Sequence, residues 1–261
     1  MSRYGVHDSS RLPVDDSGLT LNGRPLSDWH LWLLSDGVSL AAPEQVTSLA
    51  ETPGAQGAAD MTLRDEAGYP YYRRRDLTMS WCTTGDEPEY WETRARLAML
   101  DGTEVTVGWP CWPGVARGLL TVGDWTTTLA HGGAFEKAVC EPVFSCDPCL
   151  YGPRMYFEAG TAAVVAYVEG NRPSHPTISI VPPEGTRRIY LTVNDRQLVY
   201  NLDADGRTTL TVDCAARSSV YGAAPIWPSV DSDYPVLLPG ANRASVSAGV
   251  MRIEYVPMIM V

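Results

Sequence analysis

Cys146-Asp-Pro-Cys149, with Cys140 six positions upstream, is the cluster in this chain whose spacing comes nearest to a metal site or a redox pair. A tetrahedral zinc site takes four ligands, usually as two such pairs or as one pair with two histidines. No second CxxC and no paired His stands at usual spacing, so Cys82 or Cys111 would have to be delivered by the fold. The expectation is buried thiols, with no metal and no cofactor. Asp213, Asp231 and Asp233 are the carboxylates that a glycosidase mechanism would need to bring together in space. Turn-flanking aspartates are the commoner case in a β domain. Asp203 and Asp205 open like a calcium loop, but Gly206 comes too early and no Glu stands at the twelfth place, which leaves a turn. Phosphate-cradling glycine loops, the GxSxG elbow and the HExxH pair are absent, and His7, His30, His131 and His175 lie far apart. The chain is therefore expected not to be an enzyme. Tyr221, Trp227 and Tyr234 share one loop-rich stretch where rings could stack on a saccharide; core and turn packing is the plainer reading.

The charge balance narrows the classes further. Across 261 residues, 31 Asp+Glu against 20 Lys+Arg give a net charge of −11, with Lys137 the single lysine. A protein that grips nucleic acid or anionic lipid needs basic clusters, which this chain lacks. Its one basic run, Arg73-Arg-Arg75, is split by strand alternation and followed by Asp76. The longest apolar runs fall well short of the roughly 20 residues of a membrane helix. Met1-Ser-Arg-Tyr-Gly-Val-His7 is not followed by an apolar segment, which reads as folding in a cytoplasm. Residues 1–150 hold 21 acids and 11 bases, a net −10, whereas 151–261 hold 10 acids and 9 bases, a net −1. Such a division suggests two domains with different surroundings.

The elements that must carry these residues are mostly strands. Residues 1–18 are polar and aperiodic, and read as an arm. A strand over 19–21 turns at Asn22-Gly23. Trp29 to Leu34 reads as a strand apolar on both faces. Residues 51–68, with Pro53-Gly54 and Gly57, form a loop or hairpin excursion. From Tyr71 to Trp81, Arg73, Arg75, Leu77, Met79 and Trp81 alternate with Arg74, Asp76, Thr78 and Ser80. One helix follows, capped around Thr84-Gly-Asp86, with Pro88 in its first turn, Gly102 beyond its end, and Trp91, Ala95 and Ala98 on the face toward a sheet. Short strands are expected around 105–107, 118–121 and 137–144. The Pro- and Gly-bearing segment 146–153 is the expected boundary, giving domains at 19–152 and 153–261. Strands then recur over 177–181, 189–193, 197–202, 208–212 and 250–256, with a turn at 203–206.

In this order the segments resemble a known family. Leu21-Asn-Gly23, Pro43, Thr52-Pro-Gly54 with Gly57, the Tyr71-Arg73-Arg75 strand, the Trp91-to-Leu100 helix and Cys146-Asp-Pro148 match the first half of the distal tail (Dit) proteins of long, non-contractile-tailed bacteriophages. Phe157-Glu-Ala-Gly160, His175-Pro-Thr-Ile-Ser-Ile180, Leu210-Thr-Val-Asp213 and Tyr234-Pro-Val-Leu-Leu-Pro-Gly-Ala-Asn242 match the second. The likeness spans about 19–256. Ala55 and Gln56 stand where that family commonly has Arg-Asp, and Asp147-Pro148 is flanked by cysteines. The resemblance implies a mainly β protein: an N-terminal β-sandwich with one helix and an extended hairpin, then a galectin-like β-sandwich. It implies a structural, non-enzymatic siphovirus baseplate hub, a homo-hexameric ring assembled in the host cytoplasm and placed at the virion tail tip. The ring would join the tail tube protein to tail-tip, tail-associated lysin or baseplate proteins, with a receptor-binding protein as a further partner, and DNA would pass its lumen without specific binding. Pro53, Gly54, Gly57, Tyr71, Arg73 and Arg75 would lie at subunit contacts. The alternative is a carbohydrate-binding tail module recognising host-surface saccharide through Tyr221, Trp227 and Tyr234.

Overall fold

The computed structural model describes residues 17–51, 54, 56–84, 86–202 and 208–261, apart from the side chains of Asp36 and Thr84. Nearly all of the 1–18 arm, His7, Pro53, Gly85 and the 203–206 turn lie outside the described residues. The chain is mainly β, and its contacts divide it into two units. The first takes the chain to Asp65, Tyr69–Leu150 and Val261; the second takes Glu66–Gly68 and Tyr151–Met260.

In the first unit, β1 (Thr20–Leu21) and β2 (Arg24–Pro25) form a hairpin. Its turn residues Asn22 and Gly23 have φ of 52° and 74°, the left-handed pair that a tight two-residue turn requires. The strand expected from Trp29 begins later. Leu26–Trp29 instead makes one turn of 3-10 helix that stops at His30, itself at φ 52°. The Leu31 amide then donates to the Leu26 carbonyl (3.1 Å), and both leucine side chains are fully buried. Because Trp29 to Leu34 is apolar on both faces, periodicity alone does not fix where the strand starts.

Next come β3 (Trp32–Leu40), β4 (Leu49–Glu51), β5 (Ala58–Asp60) and β6 (Arg75–Thr84). The helix α1 (Glu87–Ala98) leads to β7 (Glu104–Gly108), β8 (Val115–Thr121), β9 (Trp125–Leu129), β10 (Phe135–Cys140) and β11 (Val143–Cys146). All but β4 and β5 belong to one antiparallel sheet, ordered β2-β1-β7-β8-β11-β6-β10-β9, with β3 on the remaining edge of β6. Leu21, Leu77, Met79, Trp81, Val105, Val107, Leu120 and Phe144 bury into a single core, so the sheet must curl around it. Trp81 meets Phe144 edge-on, with ring centroids 5.7 Å apart.

The strand expected over 137–144 is broken in a specific way. β10 and β11 follow β6 in one unbroken register, Lys137 opposite Thr84 and Cys146 opposite Arg75. Between them Glu141-Pro142 interrupts the ladder, since proline has no N–H to donate. At that break the outer neighbour changes from β9 to β8.

The start of α1 is as the sequence signals: Asp86 caps it by accepting from the Glu89 amide (2.9 Å), with Pro88 in the first turn. Its inward face is not. Tyr90, Thr93 and Leu97 are buried, while Trp91 is 52% exposed. Adjacent helical residues differ by about 100° in direction, so one step of phase exchanges the buried aromatic for the exposed one. The Trp91 indole N–H donates to Glu87 (3.3 Å) and Arg94 lies over its ring.

The second unit follows β12 (Leu150–Tyr151). Its strands are β13 (Met155–Ala159), β14 (Val164–Val168), β15 (Thr177–Ile180), β16 (Arg188–Val193), β17 (Arg196–Asn201), β18 (Leu210–Asp213), β19 (Ser218–Tyr221), β20 (Ala224–Pro225), β21 (Gly240–Val246) and β22 (Met251–Tyr255). They form two antiparallel sheets, β13-β22-β15-β18-β19-β20 and β14-β21-β16-β17. Ile178, Ile180, Val212 and Ile253 of the first meet Ile189, Leu191, Leu198 and Val246 of the second in one core, a sandwich. The buried Asn242 is satisfied within it: its amide donates to the Leu238 (2.6 Å) and Gly240 (3.0 Å) carbonyls and its oxygen accepts from the Leu238 amide (2.9 Å).

These burials predict that Trp81→Ala destabilises the first unit by about 3–5 kcal/mol. Trp91→Ala on the exposed face of α1 is expected to cost less than about 1 kcal/mol. Urea unfolding followed by circular dichroism compares the two.

Candidate assembly interface

The excursion out of the first sheet is built from three stretches of chain. Its stem pairs Gln45 with Tyr72, and the Val46 amide donates to the Tyr71 carbonyl and the Arg73 amide to the Glu44 carbonyl, each at 2.9 Å. Beyond the stem, β4 and β5 make a two-stranded ladder, Leu49 opposite Asp60 and Glu51 opposite Ala58. Gly54 and Gly57, at φ 85° and 87°, supply the left-handed positions of its turn. Asp60 organises the outgoing end. It accepts from the Thr62 amide (2.9 Å) and pairs with Arg64 (3.3 Å), and the Thr62 hydroxyl, the Thr62 amide and Arg64 together hold its carboxyl below the usual range.

Every residue of β4 and β5 is exposed. Val46, Leu49, Met61, Leu63 and Tyr71 are all exposed apolar side chains, Leu63 reaching 77%. An isolated two-stranded hairpin is marginal in water, and this one carries apolar groups that are exposed to solvent. Exposed apolar patches of this kind are the composition from which interaction surfaces are built.

The residues expected at this surface separate into two groups. Pro53 is outside the described residues. Gly54 and Gly57 sit in the exposed turn, Tyr71 is 53% exposed at the stem, and Arg73 pairs with Glu44 at 3.8 Å. Arg75 is a correction. It is 4% exposed, its guanidinium donating to a main-chain oxygen of Val261 (2.9 Å) and the Ala41 carbonyl (3.4 Å), and so has no face to offer a neighbouring subunit. Alternation dictates this, because Arg75 shares its side of β6 with Leu77, Met79 and Trp81. Burial lowers its pKa, opposed by the nearby Cys149 and Cys146. Arg74 turns the other way, to Asp147 and the Ser145 carbonyl, both at 3.4 Å. The three arginines therefore go to three places and present no basic strip.

In the second unit, Tyr221 and Tyr234 pack partly buried against the core, and the Tyr234 hydroxyl lies 3.4 Å from Ser219. Trp227 is 76% exposed. The structure thus uses two of the three rings for packing and leaves one on the surface. Glu66 pairs with both Arg196 and Arg217. Among the described residues no group of three His, Cys, Asp or Glu side chains could hold a metal ion. The six cysteines are free, and Cys111 is the exposed one. Burial pushes the Cys140 and Cys146 thiols up to about 11 and Cys214 up to about 12.

Two surface features escaped the sequence reading. A groove of about 440 Å³ opens beside α1, lined by Tyr90, Trp91, Arg94, Trp125 and Phe135, with Tyr90 stacked on Phe135 at 5.1 Å. The outer row of β14 exposes Val165 and Tyr167.

No protein-family model and no curated protein matches the chain. Among solved structures, the Dit protein of phage SPP1, described as a paradigm of the hub adsorption apparatus in phages infecting Gram-positive bacteria, aligns with 92% of this chain and 98% of its own. The TM-score is 0.69 at 18% identity, so the chain has the fold of that hub protein. A chain of the phage P2 baseplate, in its activated conformation with calcium, aligns over 88% of this chain and 92% of its own, at 8% identity and a TM-score of 0.42, short of a shared fold.

Thiol chemistry reads the burial pattern directly. In the native protein at pH 8, an aromatic disulfide reagent is expected to titrate close to one thiol of the six, and all six once the chain is unfolded. A thiol pKa raised in the folded state favours folding while both states stay protonated. Stability therefore holds below about pH 9 and declines as pH rises toward 11–12, where only the unfolded chain has released these protons.

Proposed function

We propose that this protein is a structural hub of a bacteriophage tail, a Dit-like distal tail component that assembles into a ring and is not an enzyme. The observation that carries the reading is the match of both units, in one alignment, to a hub protein of known role. The exposed hairpin supports it, since its apolar side chains call for a neighbour that a monomer does not provide. In this reading the ring is a homo-hexamer. The first unit forms it, with the hairpin and Tyr71 at subunit contacts, and the galectin-like second unit projects from it. The ring joins the tail tube to tail-tip or baseplate proteins at the end of the virion. The −10 of residues 1–150 suits a lumen that DNA crosses without sticking, because an acidic wall gains nothing from counterion release. A saccharide-recognition role for the second unit has less support, as only Trp227 of its three candidate rings is on the surface.

Two measurements test this reading. Leu49→Lys with Met61→Lys places charge in the hairpin without touching either core, and is expected to lower the oligomer mass while the melting temperature stays within about 2 °C of wild type. An unchanged mass removes the hairpin from the subunit contacts. At low salt, where weak electrostatic binding is exaggerated, linear duplex is expected to migrate unretarded. Retardation abolished by Arg73→Ser with Arg74→Ser contradicts the sliding lumen.

A further inference from the structure

The second unit carries an anomaly on β14 that neither the fold nor the hub role explains. β14 is the first strand of its sheet and pairs only with β21; among the described residues nothing pairs with its outer edge. Its register places Val165 opposite Arg243 and Tyr167 opposite Ala241, all of them exposed, on the face of the sheet turned away from the core. Further along the same face stand Ser245, Thr192 and Gln197, an ordinary polar surface. At β14 that face becomes apolar. Val165 is 65% and Tyr167 82% exposed, and the exposed Ala163 immediately precedes the strand.

Open edges in natural sheets are guarded by lysine, proline, a bulge or an inward charge. Here Thr161-Ala-Ala-Val-Val-Ala-Tyr-Val168 contains no charge and no proline, and β14 keeps an unshifted register with β21. An unguarded, apolar, regular edge is what strand addition uses.

We propose that β14 is an interface between two copies of this chain, pairing antiparallel with itself about Val165 to join two sheets into one. Two properties select a second copy as the occupant. The first is charge. The chain carries −11, so two copies repel over most of their surfaces, yet where residues 162–168 pair with themselves neither strand carries a charge, and Glu169 falls just beyond, opposite Thr161. Within residues 162–168 a partner recognised through ionic groups finds nothing on the edge strand itself to complement. The second is shape. Antiparallel pairing about Val165 sets Val165 against its own copy and Ala163 against Tyr167, small opposite large, twice by symmetry. The interface lies in a different unit from the hairpin and stands whether or not a ring forms.

The symmetry makes the test specific, because only in this register does residue 165 face itself. Val165→Lys and Val165→Glu are prepared separately in the full chain, and masses are measured across a concentration series by sedimentation velocity. Each variant alone is expected to associate about fivefold more weakly than wild type, since like charges then stand directly opposite. An equimolar mixture of the two is expected to regain association. Val165→Thr, which keeps the β-branched shape, is expected to associate close to wild type, and circular dichroism is expected to give all three the wild-type melt. In the Leu49→Lys, Met61→Lys background, association through β14 persists as a simple doubling of the remaining species. Wild-type masses for both charged variants overturn the proposal. So does a mixture that fails to recover, which assigns the edge to a strand from elsewhere.

Discussion

The first unit depends on β6 having both edges filled over nearly its whole length. One edge takes β3 and the other takes β11 and then β10, so this ten-residue strand holds together elements that are far apart in sequence. Its inward side chains Leu77, Met79 and Trp81 supply much of the core's bulk, and Arg75 continues the same row to its end. A charged group at the end of an apolar row is held there by the Ala41 carbonyl and a main-chain oxygen of Val261. Any slip of β6 by one residue would turn Trp81 outward and put Ser80 in its place, so the register is strongly specified.

Against that closed core the hairpin stands out for what it lacks. The central strands β6, β7, β8 and β11 of the main sheet bury residues in alternation, whereas every residue of β4 and β5 is exposed. The stem hydrogen bonds, the Asp60 turn and the two left-handed glycines fix its geometry without an apolar core of its own. This segment, ordered by polar contacts and edged with the exposed Leu49, Met61 and Leu63, is the surface that the proposed subunit contact would use. It is the feature on which the proposed assembling role rests.

Much of this was legible in the sequence wherever one face of a strand is core and the other is solvent. Ile178 and Ile180, Ile189 to Val193, and Leu77 to Trp81 show period two because burial imposes it. The hairpin was legible through Pro53-Gly54 and Gly57, since turns announce themselves by the residues that tolerate their angles. What failed to show were features decided by neighbours distant in sequence. Trp91 and Tyr90 are both large aromatics, and which one turns inward is set by the Trp125 and Phe135 rings that meet Tyr90. Arg75 looks like a surface cation until two main-chain oxygens from distant segments reach it. The apolar flanks of the hairpin and the strand β14 itself were not read from the sequence, because exposure is a property of what does not cover a residue.

Hydrogen exchange of the intact protein across a concentration series tests the central claim, that the hairpin is half of an interface. Amides on the open edges of Leu49–Glu51 and Ala58–Asp60 exchange freely in a monomer and are shielded when a second chain lies over them. The account predicts that protection of these two segments rises with concentration in step with oligomer mass, while Leu77 to Trp81 stays protected throughout. An assembly of full mass whose hairpin amides exchange as fast as those of the dilute monomer would contradict it.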